Sequence, residues 1–130
     1  MNEMNGMYLR KAEESLAGAN SEFVNGRYNN AANRCYYACF QAAVYALIDA
    51  GIRPAGARGQ LAHDLVQAEF VGQLINRRKL YPSELRDVLF RNLSLRHEAD
   101  YGTNTISQVQ ASRALRRTRT FLEAIQPEGS

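Results

Sequence analysis

Residues 28–50 constrain this chain more than any other stretch. They contain no glycine or proline, and their apolar positions run around most of a helical wheel: Ala31, Ala32, Cys35, Tyr36, Cys39, Phe40, Ala43, Val44 and Leu47. A helix apolar on nearly every side has to be surrounded by other elements. Its alanines let those neighbours approach closely. With 130 residues in total, the rest of the chain has room to supply partners on several sides and to bury a core without disulfides or metals.

The partners are readable from their spacing. Leu9, Ala12, Leu16, Ala19 and Phe23 recur three and four apart, predicting a first helix over about 5–25 that Asn25 and Gly26 terminate. After the central helix ends at Gly51, three glycines and one proline within 51–59 mark a loop. A third helix fits 60–77, with Leu61, Leu65, Ala68, Val71 and Leu74 facing inward. Pro82, followed by Ser83 and Glu84, suits a helix start. That fourth helix carries Leu85, Val88, Leu89, Leu93 and Leu95 and ends before Gly102. Thr105 or Ser107 caps a fifth, with Val109, Leu115, Phe121, Leu122 and Ile125. No stretch alternates as a strand would. The expected fold is all-α, an antiparallel bundle of four or five helices in a single domain over 1–130, with its core in about 7–125 and a flexible tail at 126–130.

The net charge is +3 with a pI near 9.1, and of the 16 basic residues only Lys11 and Lys79 are lysines. Arginine forks suit phosphate, so the balance favours a phosphate-bearing partner without establishing one. The first residues lack a basic-then-apolar leader pattern, and no apolar run reaches the roughly 18 residues of a membrane span. No membrane association is expected. Cys35 and Cys39 are too few and too close for a disulfide framework, so a reducing cytoplasm is the expected location. Nor does a ligand-spaced partner accompany them, so they read as small hydrophobes and no metal or other cofactor is expected. Glycine-loop phosphate cradles, nucleophile elbows, zinc-protease helices and dinucleotide fingerprints are all absent from the sequence.

Polar chemistry concentrates at the end of the fourth helix, in FRNLSLRHEADYG at 90–102. His97 can take or give a proton near neutral pH, and Arg91 and Arg96 can neutralise phosphate charge. Such a set can cleave RNA without a metal: a base deprotonates the ribose 2′-hydroxyl, which attacks the adjacent phosphate while arginine holds the added charge. Arg91 and His97 are six apart, roughly 240° on a helix, so they converge only if the helix loosens or a second subunit completes the site. Arg96 and Asp100 share a face, where a plain salt bridge is the simpler reading. On the central helix Tyr36 points to the core, whereas Arg34 and Tyr37 flank the apolar surface and can reach a polar cleft. His63, beside Asp64, reads as a surface or orienting residue. The run Arg113, Arg116, Arg117 and Arg119 is either a nucleic-acid or partner face or simply a solvated one.

The segments YNNAANRCYYACF at 28–40, ALIDAG at 46–51 and LRHEADYG at 95–102, in that order, resemble the HEPN domain family. In particular the chain is similar to small prokaryotic members with a YYAxF helix and a terminal R-x-x-A-D-Y segment. The resemblance spans roughly 8–125. It implies a helical bundle that dimerises and, in many members, a metal-independent endoribonuclease that is the toxin of a toxin–antitoxin pair, neutralised by a nucleotidyltransferase-type antitoxin. By that likeness Arg91 and His97 are the catalytic pair, and Asn92, Arg96, Asp100, Tyr101, Arg34 and Tyr37 are substrate-binding, with RNA as substrate. Ala99 stands where the toxin members closest to the consensus carry tyrosine, and the R-x-x-A-D-Y subgroup anchors its motif on Arg96. The alternative is therefore a non-catalytic module that binds nucleotide, RNA or a partner nucleotidyltransferase.

Overall fold

The computed structural model describes residues 3–53 and 63–127, with side chains from residue 6. Among these residues every regular element is helical: α1 Glu3–Val24, α2 Tyr28–Asp49, α3 His63–Glu69, α4 Val88–Tyr101 and α5 Gln108–Ile125. Most of the expected 51–59 loop, residue Leu61 and the last three tail residues lie outside the described residues. No described helix is long and apolar enough to cross a membrane.

α2 is the axis of the bundle. Its buried residues run from Ala31 to Leu47 on almost every side, and α1, α3, α4 and α5 all pack on it. α1 presents the expected stripe: Ala12 and Ala19 are fully buried, while Leu9, Leu16 and Phe23 pack half-buried against the core. Gly26 then takes a positive φ of 76° and lets the chain reverse into α2. α5 starts at Ser107, whose hydroxyl accepts from Gln110 N at 3.1 Å while Gln110 Oε1 accepts from Ser107 N at 2.9 Å. This reciprocal cap satisfies two backbone donors that a helix start otherwise leaves open.

Three expectations need correction. The third helix keeps only part of its expected face: Leu74 is buried and Val71 packs half-buried on the core, but Val66 and Phe70 are buried in place of Leu65, which is 46% exposed, and Ala68, which is exposed. The cause is the segment Phe70–Arg77, which continues α3 as a wider π-helical turn. A strict four-residue spacing drifts around an α-helix, but the wider turn keeps Val66, Phe70 and Leu74 aligned. Pro82 opens the short 3₁₀ turn Ser83–Leu85, and α4 proper begins only at Val88. Val109 is 56% exposed, because α5 packs through Ala111, Ala114, Leu115, Thr118, Phe121, Leu122 and Ile125.

Candidate functional site

α4 carries its polar residues on three distinct faces. The innermost holds Asn92, which is fully buried. Its Nδ2 faces Thr118 Oγ1 at 3.0 Å, Cys39 Sγ at 3.3 Å and the Cys35 carbonyl at 3.4 Å. Its Oδ1 accepts from Arg117 Nε at 2.7 Å. Asn92 thus ties α2, α4 and α5 together, and the expectation that it orients a substrate is corrected: both ends of its amide are spent inside the fold. Burial pushes the Cys35 and Cys39 thiols up to about 11 and about 12, which keeps them protonated and inert. Among the described residues no three His, Cys, Asp or Glu side chains gather as a metal-binding group.

The flank of α4 that meets α2 carries Arg96 and Asp100. Arg96 Nε lies 3.4 Å from Asp100 Oδ2 as an ion pair, and that oxygen accepts a hydrogen bond from Asn33 Nδ2 at 3.3 Å. The guanidinium sits over two rings, 5.3 Å from the Tyr36 centroid and 5.1 Å from that of Tyr37. His63 joins from α3: its Nδ1 hydrogen-bonds the Tyr36 hydroxyl, and its ring stacks on Phe40 at 4.3 Å. One helical turn earlier on α2, Asn29 reaches the Ala99 carbonyl with Nδ2 at 3.4 Å and accepts from Ile106 N at 2.9 Å. Of the residues named from sequence, this flank brings together Tyr37, Arg96 and Asp100. Arg34 is not among them, since its Cδ lies 3.9 Å from where a Cβ at Gly18 would stand, so its stem crosses α1.

The outer face of α4 carries Phe90, Ser94, His97 and Tyr101, all exposed; Phe90 is 59% and Tyr101 77% exposed despite their rings. His97 meets the Tyr101 ring edge-on at 6.0 Å. Arg91, also exposed, lines a groove of about 530 Å³ between α4 and α5 with Ser94, Glu98, Gln110, Arg113 and Arg117. Burial pulls the Arg117 guanidinium below its ordinary pKa, and the charge of Arg91 adds to that pull. α4 stays α-helical to Tyr101, where Gly102 N still bonds the Glu98 carbonyl at 2.9 Å. A loosened helix end therefore does not join Arg91 to His97. They stand on opposite edges of the exposed face, about 120° apart the short way round and roughly 9 Å along the axis.

Sequence alone places Tyr36 in the core and His63 in a surface or orienting role, and gives Asn29 and Asn33 no role. The available signal was the run Asn29, Asn33, Tyr36, Tyr37 and Phe40 at helical spacing, one stripe passing from amide to aromatic.

The class is thus a helical bundle built on one central apolar helix, with arginine, histidine and aromatic groups gathered on the fourth. A family model for the HEPN domain matches residues 6–128, and the chain belongs to the HEPN family. No curated protein sequence matches it.

Proposed function

We propose that the chain is a metal-independent endoribonuclease that works as a homodimer, the toxin of a cytoplasmic toxin–antitoxin pair whose antitoxin is of the nucleotidyltransferase type. One observation carries this reading: Arg91 and His97 are both solvent-exposed and flank a face on which Phe90 and Tyr101 leave large apolar surface uncovered. Isolated exposed apolar residues are ordinary, but two on one helix stripe beside catalytic-type side chains favour a face that meets a second copy. A two-fold axis through that face sets Arg91 of one copy toward His97 of the other.

In such a cleft the neutral His97 imidazole takes the proton of a ribose 2′-hydroxyl. The oxygen attacks the adjacent phosphorus, and Arg91 stabilises the extra negative charge of the transition state. The bond to the 5′-oxygen breaks, the imidazolium returns the proton to it, and the products are a 2′,3′-cyclic phosphate and a 5′-hydroxyl. Because the nucleophile belongs to the substrate, no water need be activated. Tyr101 beside His97 is placed to stack a base.

The test is cleavage of total RNA with and without chelator by the wild type, His97→Ala and Arg91→Ala. Chelator-resistant cleavage that each substitution lowers at least about a hundredfold, with the helical circular dichroism intact, is the expected result. Undiminished cleavage by His97→Ala would remove it from the mechanism.

The second reading, a non-catalytic module binding nucleotide, RNA or a nucleotidyltransferase, is favoured by a different observation. An ion pair and two cation–ring contacts gather around Arg96, and among the described residues neither Arg91 nor His97 has a comparable set. It predicts no chelator-resistant cleavage.

A further inference from the structure

The cluster around Arg96 is built at some cost and leaves hydrogen-bonding capacity unspent. The Arg96 side chain is 18% exposed, and its Nε is buried without a hydrogen-bond partner among the described residues. Asp100 Oδ2 is near, at 3.4 Å, yet it forms no hydrogen bond with that nitrogen and is shared with Asn33. The two tyrosine rings hold the guanidinium by its face, which satisfies its charge but none of its N–H groups. Buried donors without a partner are rare in folded proteins, and an exception calls for a use.

His63, half-buried, also has a ring nitrogen to offer. Its ring stacks on Phe40 with centroids 4.3 Å apart, and the Tyr36 ring, 5.4 Å away, holds Nδ1 through its hydroxyl. That leaves Nε2 without a partner among the described residues. Both His63 and Arg96 stand against the same two rings, since His63 also meets Tyr37 edge-on at 6.4 Å. Two groups able to carry positive charge therefore converge with donors to spare. A ligand that accepts from both must present oxygens on more than one side and carry enough negative charge to compete with Asp64 and Asp100 at the edges. A tetrahedral phosphate meets both demands.

We propose that Tyr36, Tyr37, His63 and Arg96 form an anion site within a single protomer, which takes a phosphate group between the His63 imidazole and the Arg96 guanidinium. Tyr36 orients the imidazole through Nδ1, so Nε2 is the nitrogen that faces the ligand. The site lies on the α2–α3–α4 side of the fold and needs neither dimerisation nor His97. The electrostatics agree with this arrangement. Burial lowers the His63 pKa, Arg96 lowers it further, and Asp64 opposes both. Tyr36 and Tyr37 from α2 and Asp100 from α4 complete the titratable groups around the pair. An anion seated between His63 and Arg96 screens their repulsion and favours the imidazolium, so binding must raise the His63 pKa.

The chain has two histidines, His63 and His97, which makes proton NMR a direct test with an internal reference. The wild-type protein is titrated with pH alone and then with inorganic phosphate, adenosine monophosphate, or a short oligoribonucleotide with a terminal phosphate. The expected result is a rise of about one pH unit in the His63 midpoint, equivalent to roughly tenfold tighter binding to the imidazolium form, with His97 unmoved by inorganic phosphate. Arg96→Gln is expected to abolish the rise. A rise with inorganic or nucleoside monophosphate identifies a small free ligand, and a rise confined to the oligonucleotide identifies an RNA end; each supports the site. A His63 midpoint that no phosphate source moves overturns it, whether or not Arg96→Gln folds. So does a response confined to His97, an outcome that leaves the ribonuclease reading standing.

Discussion

Arg117 donates its Nε to Asn92 Oδ1 at 2.7 Å, so the residue that follows Arg91 in sequence is held by an arginine that lines the Arg91 groove. The bond couples packing to the proposed RNA surface, because the guanidinium presented to the groove is anchored on a buried amide. Asn92→Ala removes that anchor together with the bonds to Thr118, Cys39 and Cys35. The expected loss is roughly 2–4 kcal/mol of stability, from groups left unsatisfied and a cavity between three helices. Urea unfolding measures it. A variant as stable as the wild type but deficient in RNA binding would instead make Asn92 a ligand residue.

The groove between α4 and α5 sets Arg91, Arg113 and Arg117 against a single lining carboxylate, Glu98. Arg113 is exposed and caps no helix, so its charge can be reversed at little structural cost. If RNA runs along this groove, Arg113→Glu raises KM roughly three- to tenfold, leaves kcat near the wild-type value and flattens the salt dependence of kcat/KM. Thermal stability should change little. An unchanged KM with an unchanged salt slope would place the RNA elsewhere.

How far these features could be read beforehand differs by residue. The stripe of α1 and the all-round burial of α2 followed directly from period and composition, because an α-helix in the interior leaves few other ways to arrange Leu9, Ala12, Leu16 and the alanines of α2. The inward face of the third helix followed only at Val71 and Leu74, since nothing local in Phe70–Arg77 announces a wider turn. Asn92 was partly legible: it continues the spacing of Leu85, Val88 and Leu89, and a polar residue on an apolar stripe signals a buried network. The meeting of His63 with Tyr36 was not legible. Those residues are 27 apart, with a glycine-rich segment between, and only the packing of α3 on α2 brings them together.

The thiols make alkaline pH a probe of the core. Cys35 and Cys39 are raised from 9.0 to about 11 and about 12, burial being the main cause. Below about pH 9 both the folded and unfolded chains hold these protons, so the thiols leave stability unchanged with pH. Above it the unfolded chain releases them first, and stability falls until the folded thiols titrate as well. The slope reaches about 1.4 kcal/mol per pH unit for each thiol. Unfolding free energies are expected to drop by roughly 2–3 kcal/mol between pH 8 and pH 10. Tyr36, Tyr45 and Tyr81, whose pKa values are also raised by burial, add to the fall at higher pH. The double variant Cys35→Ala, Cys39→Ala should lose most of the drop between pH 8 and pH 10. A wild type equally stable at both values would contradict the burial of these groups.

Arg91 and His97 on opposite edges of one helix face lead to a complementation experiment. In a two-fold dimer whose sites each take Arg91 from one copy and His97 from the other, Arg91→Ala and His97→Ala are both inactive alone. Mixed and allowed to exchange, half of the dimers become mixed. Each of those has one site with both residues intact and one with neither. About a quarter of wild-type activity is therefore expected at equal amounts, rising and falling with the mixing ratio. Placing a charge in the exposed face with Phe90→Glu should abolish both dimer and rescue, because an unpaired carboxylate cannot be buried there cheaply. Dimerisation is followed by sedimentation and rescue by cleavage of a labelled RNA. Full exchange without rescue would mean that no site draws Arg91 and His97 from different copies.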